Sequence, residues 1–183
     1  MAVSFVENNA PLLVTERLEL WVPAQADIWP MHAIVTHPIT GRFLGSSSAP
    51  ADHFLRFSRN AGSWLLYGYG SFMVRERGCT ELIGNCGVFH SFRGLGEDFD
   101  DTPEAGWILH SDHTGKGLAH EAMAAALAWF EREHGHRRIV AMIAPGNAAS
   151  IGLAGRLGFT FLRDAALPDG EAVHLFERPA VAH

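Results

Sequence analysis

Lysine is nearly missing from this chain: Lys116 is the only one, and the other thirteen of its fourteen basic residues are arginine. The place of that single lysine is therefore informative. Basic charge is also outweighed, since twenty acidic residues leave a formal net charge of −6. Such a balance argues against nucleic acid as a partner, because phosphate binding needs a basic surface. Cysteine is scarce as well. Cys79 and Cys86 form neither a CxxC pair nor any metal-ligand spacing, so they read as free thiols of a reducing compartment. No apolar run approaches the ~18 residues of a membrane span. The opening MAVSFVENNAPLLVTERLEL lacks a basic start followed by a long apolar stretch. These absences predict a cytoplasmic protein with no signal peptide and no membrane segment.

What is present predicts one ordered domain over residues 1–183. The length lies within the usual single-domain range, and 48% hydrophobic against 19% charged residues suits a globular core. A chain of this size needs no metal or disulfide staple. No repeat or long Pro/Ser-rich linker divides it.

Alternating residues 17–22 (RLELWV) predict a first strand, and residues 25–35 a helix with Asp27 near its start and Pro38 beyond its end. Residues 50–60 predict a second helix. The aromatic, β-rich runs 64–75 and 81–89 predict two strands joined as a hairpin at Gly78. A polar loop spans 91–103. Strand 105–110, helix 115–134, strand 138–143, helix 147–157 and strands 159–163 and 173–178 complete the chain. In the helix 115–134, Leu118, Ala122, Met123, Ala126, Leu127 and Phe130 recur at three- and four-residue steps as one apolar face. This alternation predicts a mixed α/β sheet with helices on both faces.

The chemically informative stretch is His110-Ser-Asp-His-Thr114-Gly-Lys-Gly-Leu-Ala119, which joins a strand to that helix. The first amides of a helix have no partner, and the dipole places partial positive charge there. Gly115 and Gly117 remove side chains that would keep an anion from the backbone, and Lys116 adds a charge, so the loop suits a phosphate or pyrophosphate. A Gly-x-Gly pair is also compatible with a plain tight turn. The nucleotide-triphosphate pattern G-x-x-x-x-G-K-[ST] fails because Gly117 follows Gly-Lys. The dinucleotide fingerprint fails because His120 stands where Gly or Ala belongs. A pyrophosphate carried by some other molecule remains.

Thr114-Gly-Lys-Gly-Leu-Ala119 resembles the acetyl-CoA loop of the GNAT superfamily of N-acetyltransferases, R/Q-x-x-G-x-G/A, with Gly117 and Ala119 at its fourth and sixth positions. Thr114 departs from the usual Arg or Gln. Thr15-Glu-Arg-Leu-Glu-Leu20 is similar to the opening of the branch that acetylates the amino-terminal alanine or serine of ribosomal proteins. Glu104-Ala-Gly-Trp-Ile-Leu-His110 resembles that branch's fourth strand, and Asn147-Ala-Ala-Ser150 through Leu157-Gly-Phe159 its next helix and strand. Together they cover most of the chain in the family's order.

The resemblance implies a mixed, mostly antiparallel α+β sheet splayed between two central parallel strands. It implies acetyl-CoA as co-substrate, no metal, and direct transfer from thioester to amine. Cofactor contacts would fall on Ile108, Leu109 and His110 of the splayed strand, on Thr114, Gly115, Lys116, Gly117, Leu118 and Ala119 of the loop, and on Asn147. Pantetheine would add to the exposed edge like a peptide strand, and an amide near Leu109 would donate to the carbonyl oxygen as it becomes tetrahedral.

Glu104 is the candidate general base, acting through water, since an ammonium cannot attack; an ordinary strand-end carboxylate is the alternative. His110 lies six residues on, about 20 Å away at extended spacing, so both cannot touch one amine. His110, Asp112 and His113 are metal-binding in type, but no catalytic-metal spacing such as HExxH is present, and they read as a polar turn. Asn147 is equally a helix N-cap. Many family members carry a tyrosine seven residues after this Asn; here Ala154 stands there, so Ser150 is the candidate that protonates the leaving thiolate, with water as the alternative. The acidic loop at Glu97, Asp98, Asp100 and Asp101 would attract a cationic acceptor, or be a solvated loop. Trp29, His32 and Phe43 are candidates to line the acceptor pocket. The acceptor is an amine, either a protein amino terminus or a small molecule, and the chain a monomer or homodimer. A non-catalytic acyl-CoA-binding module on the same fold is the competing reading.

Overall fold

One eight-stranded sheet is built from these extended runs, alternating in burial along Leu18–Trp21 and buried in consecutive residues along Ser71–Glu76, Leu82–His90 and Ile139–Ile143. A computed structural model describes residues 10–45 and 49–180; the leader expectation for the first nine residues lies outside them. The chain runs β1 (Leu13–Val14), β2 (Leu18–Trp21), α1 (Ile28–Thr36), α2 (Pro50–Tyr67), β3 (Ser71–Glu76), β4 (Leu82–His90) and β5 (Pro103–Leu109). It continues with α3 (Leu118–His134), β6 (Ile139–Ile143), α4 (Ala148–Arg156), β7 (Thr160–Ala166) and β8 (Ala172–Arg178). Sheet order is β1-β2-β3-β4-β5-β6-β8-β7, and every neighbouring pair is antiparallel except β5 with β6. The mixed, mostly antiparallel sheet is the expected one. Among the described residues, no helix is long and apolar enough to cross a membrane.

Helix α3 is the spine of the core. Its predicted apolar face is buried and Trp129 joins it. Phe130, fully buried, meets Tyr69 edge-on at 4.9 Å; a side chain of that size stabilises by roughly 1.5–3 kcal/mol on burial. The inward residues of the central strands, among them Phe72, Val74, Cys86, Ala105, Ala141 and Ile143, pack with α3 in one cluster. Met73, of opposite parity, faces the other way, and Leu82 joins it past the register irregularity between β3 and β4; both pack with Met31, Ile34 and Phe57 of the first two helices. The loop 91–102 covers β6 and β8 through Leu95 and Phe99.

One expected element is corrected. Residues 64–67 belong to α2, and the strand starts only at Ser71. The run Trp-Leu-Leu-Tyr is rich in β-formers, but His53, Phe57 and Trp64 share one helical stripe and all three are buried. Tertiary packing of Trp64 on Phe72 and Trp129, at 5.0 and 5.5 Å, outweighs the local preference. Gly68, left-handed at φ 76°, ends the helix. Tyr67 and Tyr69 therefore lie at a helix end and in the following turn, not in a strand. The first helix also begins as a 3-10 turn at Gln25–Asp27 before α1, and both cysteines are free.

Candidate functional site

Three features converge where β5 and β6 part. These strands pair through only Glu104↔Val140 and Ala105↔Ala141. Beyond that point the β6-facing edge of residues 106–109 has no strand beside it, while their other edge pairs with β4. The expected splay is present.

At the exit of β5 the chain makes a short 3-10 turn, Ser111–His113, and then the glycine loop. Gly115 and Gly117 adopt φ 75° and 79°, the left-handed region where a side chain is strained. Gly117 is the N-cap of α3, and the first ladder bond is Glu121 N–H to Gly117 C=O at 3.1 Å. The amides of residues 115–119 thus precede the helical ladder, at the positive end of the dipole. Thr114 and Lys116 are exposed; the Thr114 hydroxyl donates to Ser111 C=O at 2.7 Å.

Sequence reasoning missed what holds this loop. Arg17 donates from Nη1 to the Lys116 carbonyl at 2.9 Å and pairs with Glu121 at 2.6 Å. Thr15 donates to the same carboxylate at 2.6 Å. Burial would raise the Glu121 pKa, but the bonds from Thr15 and Arg17 prevail and lower it. The opening motif Thr15-Glu-Arg17 is therefore a clamp on the glycine loop, 99 residues away in sequence. Lys116, singled out by composition, supplies a backbone acceptor to it.

Across the gap, Asn147 caps α4, its Oδ1 accepting from Ser150 N–H at 3.1 Å. The Ser150 hydroxyl accepts from the Trp107 indole at 3.1 Å, which ties α4 to β5. An indole N–H only donates, so the Ser150 hydroxyl hydrogen stays available for another acceptor.

A cavity of about 430 Å³ lies on the α1/α2 side of the opening. Trp107 and Ile108 line it from β5, and Met142 and Ala144 from the β6 side. Glu104 is on its wall, 2% exposed. Its two oxygens accept from Arg93 at 2.6 and 2.7 Å, and Ser91 donates to one of them. His90 also lines the cavity, with one ring nitrogen 3.0 Å from Asp101 and the other 3.2 Å from the Tyr69 hydroxyl. His53 differs. Its Nε2 lies 2.7 Å from the Ile28 carbonyl, which can only accept, so Nε2 carries the hydrogen and Nδ1 the lone pair. Burial, and then the nearby His32 and Arg56 charges, push its pKa below the ordinary histidine value despite that carbonyl.

Of the expected pocket residues, Phe43 lines the cavity, whereas Trp29 and His32 do not. The three aspartates of the acidic loop are committed elsewhere. Asp98 pairs with Arg163 at 2.7 Å, Asp100 accepts from the Arg93 and Gly96 amides, and Asp101 meets His90. None of the three lines the cavity. His110 and His113 diverge, to Asp112 at 3.8 Å and to Glu76 at 3.0 Å. Among the described residues, no three His, Cys, Asp or Glu side chains converge as metal ligands.

A sequence model described as an acetyltransferase (GNAT) domain matches residues 17–160. In structure the chain is similar to a putative GnaT-family acetyltransferase from Bordetella pertussis, at 36% identity and TM-score 0.79, covering 91% of this chain and 98% of that one. It shares its fold with RimL, a ribosomal L7/L12 alpha-N-protein acetyltransferase solved in complex with coenzyme A, at 18% identity and TM-score 0.69, covering 91% and 96%. Among curated proteins it matches the uncharacterized protein YkkB of Bacillus subtilis, 28% identical over 97 residues. That match takes in 52% of this chain and only about half, 53%, of YkkB.

Proposed function

The chain belongs to the GNAT acetyltransferase family, and from that premise we propose that it carries an acetyl group from acetyl-CoA to an amine by direct attack. The observation that carries this reading is the strand opening next to a glycine-rich helix start. The backbone of residues 115–119 would hold the pyrophosphate, and the open edge of residues 106–109, Ile108 and Leu109 above all, would pair with pantetheine. An amide of that edge would donate to the carbonyl oxygen as charge develops on it. His110, Thr114 and Asn147 flank this path.

In the transfer, the acceptor nitrogen attacks the thioester carbon, the carbon–sulfur bond breaks, and the thiolate leaves. Ser150 gives that thiolate a proton, because its hydroxyl accepts from Trp107 and has its own hydrogen to donate. The acceptor's proton needs a second site. Arg93 and Ser91 occupy Glu104, and Asp101 and Tyr69 occupy His90. His53 lines the cavity, and its bond to Ile28 leaves the lone pair on Nδ1, which supports assigning the base role to His53 in place of Glu104, with Glu104 holding Arg93.

Calorimetry with acetyl-CoA and a thiol-release assay over an amine panel test the reading together. Binding with amine-dependent release is expected. Absence of binding ends the reading, and binding without release favours the non-catalytic module. For the base, kcat/KM should fall as pH drops through the lowered His53 pKa, because protonation removes the lone pair. His53→Gln should lower kcat by about 10²-fold and abolish that acid limb; an unchanged limb removes His53 from the mechanism.

A further inference from the structure

We propose that the acceptor is a small amine that also carries an acidic group, a carboxylate or a phosphate, bound by Arg59 at the α2 end of the cavity. This rests on the acetyl-transfer reading and narrows its acceptor.

The helix α2 turns His53, Arg56, Arg59 and Asn60 toward the cavity, and Arg93 enters from the loop after β4. Three guanidiniums thus share one small space. Of the carboxylates that line it, Glu104 belongs to Arg93, which grips it twice. Among the described residues, Arg59 makes no hydrogen bond and no ion pair, and the Arg93 Nη1 donates to none of them. Partial burial lowers the Arg59 pKa first, Arg93 and Arg56 add to this, and Glu104 offsets only part. A guanidinium cannot shed its proton at working pH, so Arg59, exposed where it borders the cavity, keeps its charge available to an entering anion.

The backbone under Arg59 is fixed. Asn60 donates to the Ser71 carbonyl at 3.2 Å and accepts from the Ser71 amide at 2.8 Å, and the Trp64 indole donates to the same carbonyl at 3.1 Å. This stretch of α2 is therefore anchored to β3, and a planar two-pronged donor on such a base suits carboxylate or phosphate oxygens.

The cavity is also polarised. Its other two carboxylates, Asp169 and Glu171, come from the turn between β7 and β8. Arg56 and Arg59 come from α2, which is anchored to β3, and Arg93 sits on Glu104 of β5, whereas Asp169 and Glu171 come from beyond β6 in the strand order. A dipolar ligand fits this layout, with its acid toward α2 and its nitrogen at the thioester. About 430 Å³ is the size of a small-molecule site.

Matched acceptors test this in the thiol-release assay: γ-aminobutyrate against its amide, aminoethyl phosphate against ethanolamine, and peptides with and without an acidic second residue. The acidic small amines should exceed their neutral partners by about tenfold or more in kcat/KM. Carboxylate and phosphate series show which oxyanion is read. Arg59→Gln should erase that preference through acceptor KM with the acetyl-CoA KM unchanged, and Arg59→Lys should restore part of it. Turnover that ignores the acidic group, a preference for peptides over both small series, or equal losses on acidic and neutral amines in Arg59→Gln would overturn the inference while leaving acetyl transfer standing. No release from any amine overturns the transfer reading, and this inference with it.

Discussion

The glycine loop and the acceptor cavity meet at one strand opening, yet they are built from opposite materials. The loop proposed to hold the pyrophosphate presents consecutive main-chain amides whose direction two left-handed glycines impose. The cavity works through side chains from residues 53–60, 71, 93, 104 and 169–171, which only the tertiary fold brings together. A site made of backbone tolerates most side-chain changes and fails when the backbone cannot adopt its path. A site made of side chains fails one charge at a time.

That contrast can be broken by mutation. Gly117→Val should have the largest effect, because a β-branched residue cannot take φ 79° without strain. Acetyl-CoA affinity should drop at least about a hundredfold by calorimetry while the fold persists; unaltered affinity would mean that the loop does not carry the cofactor. Glu104→Gln comes next. It leaves Arg93 without its carboxylate in a cavity that already holds two other guanidiniums, and chemical denaturation should report a loss of about 3 kcal/mol. A stability unchanged from wild type would return Glu104 to the role of an unencumbered base. Arg17→Ala is the smallest: it removes an exposed ion pair and one bond to the Lys116 carbonyl. It should raise the acetyl-CoA KM by a few-fold and leave the acceptor KM alone; a larger change in acceptor KM would merge the two regions that are distinguished here.

The same contrast explains what the sequence made legible. The loop, α3 and the cap at Asn147 are contiguous segments whose spacing carries their meaning, whereas the splay of β5 from β6 is implied by the resemblance alone. The end of α2 was misread because Trp64–Tyr67 favours a strand locally, and only Phe72 and Trp129 make a helix the better place to bury Trp64. Arg59, Arg93 and His53 gave no signal of their own, since an arginine on a helix ordinarily reads as solvated surface. Glu104 is the candidate base of the sequence, but its partner Arg93 is eleven residues earlier, in a stretch without regular structure.

Joined by just two residue pairs, β5 and β6 form a seam in an otherwise continuous sheet. Strands β1–β5 are one leaf and β6–β8 the other, with α3 as the binding along the back. Few interstrand bonds hold the leaves together: only the edge pairing of β1 with β2 is as short, and every other ladder in the sheet is longer. A substrate that bridges both leaves would act as a stitch, and amide hydrogens along residues 106–109 should exchange with solvent more slowly once that stitch is in place.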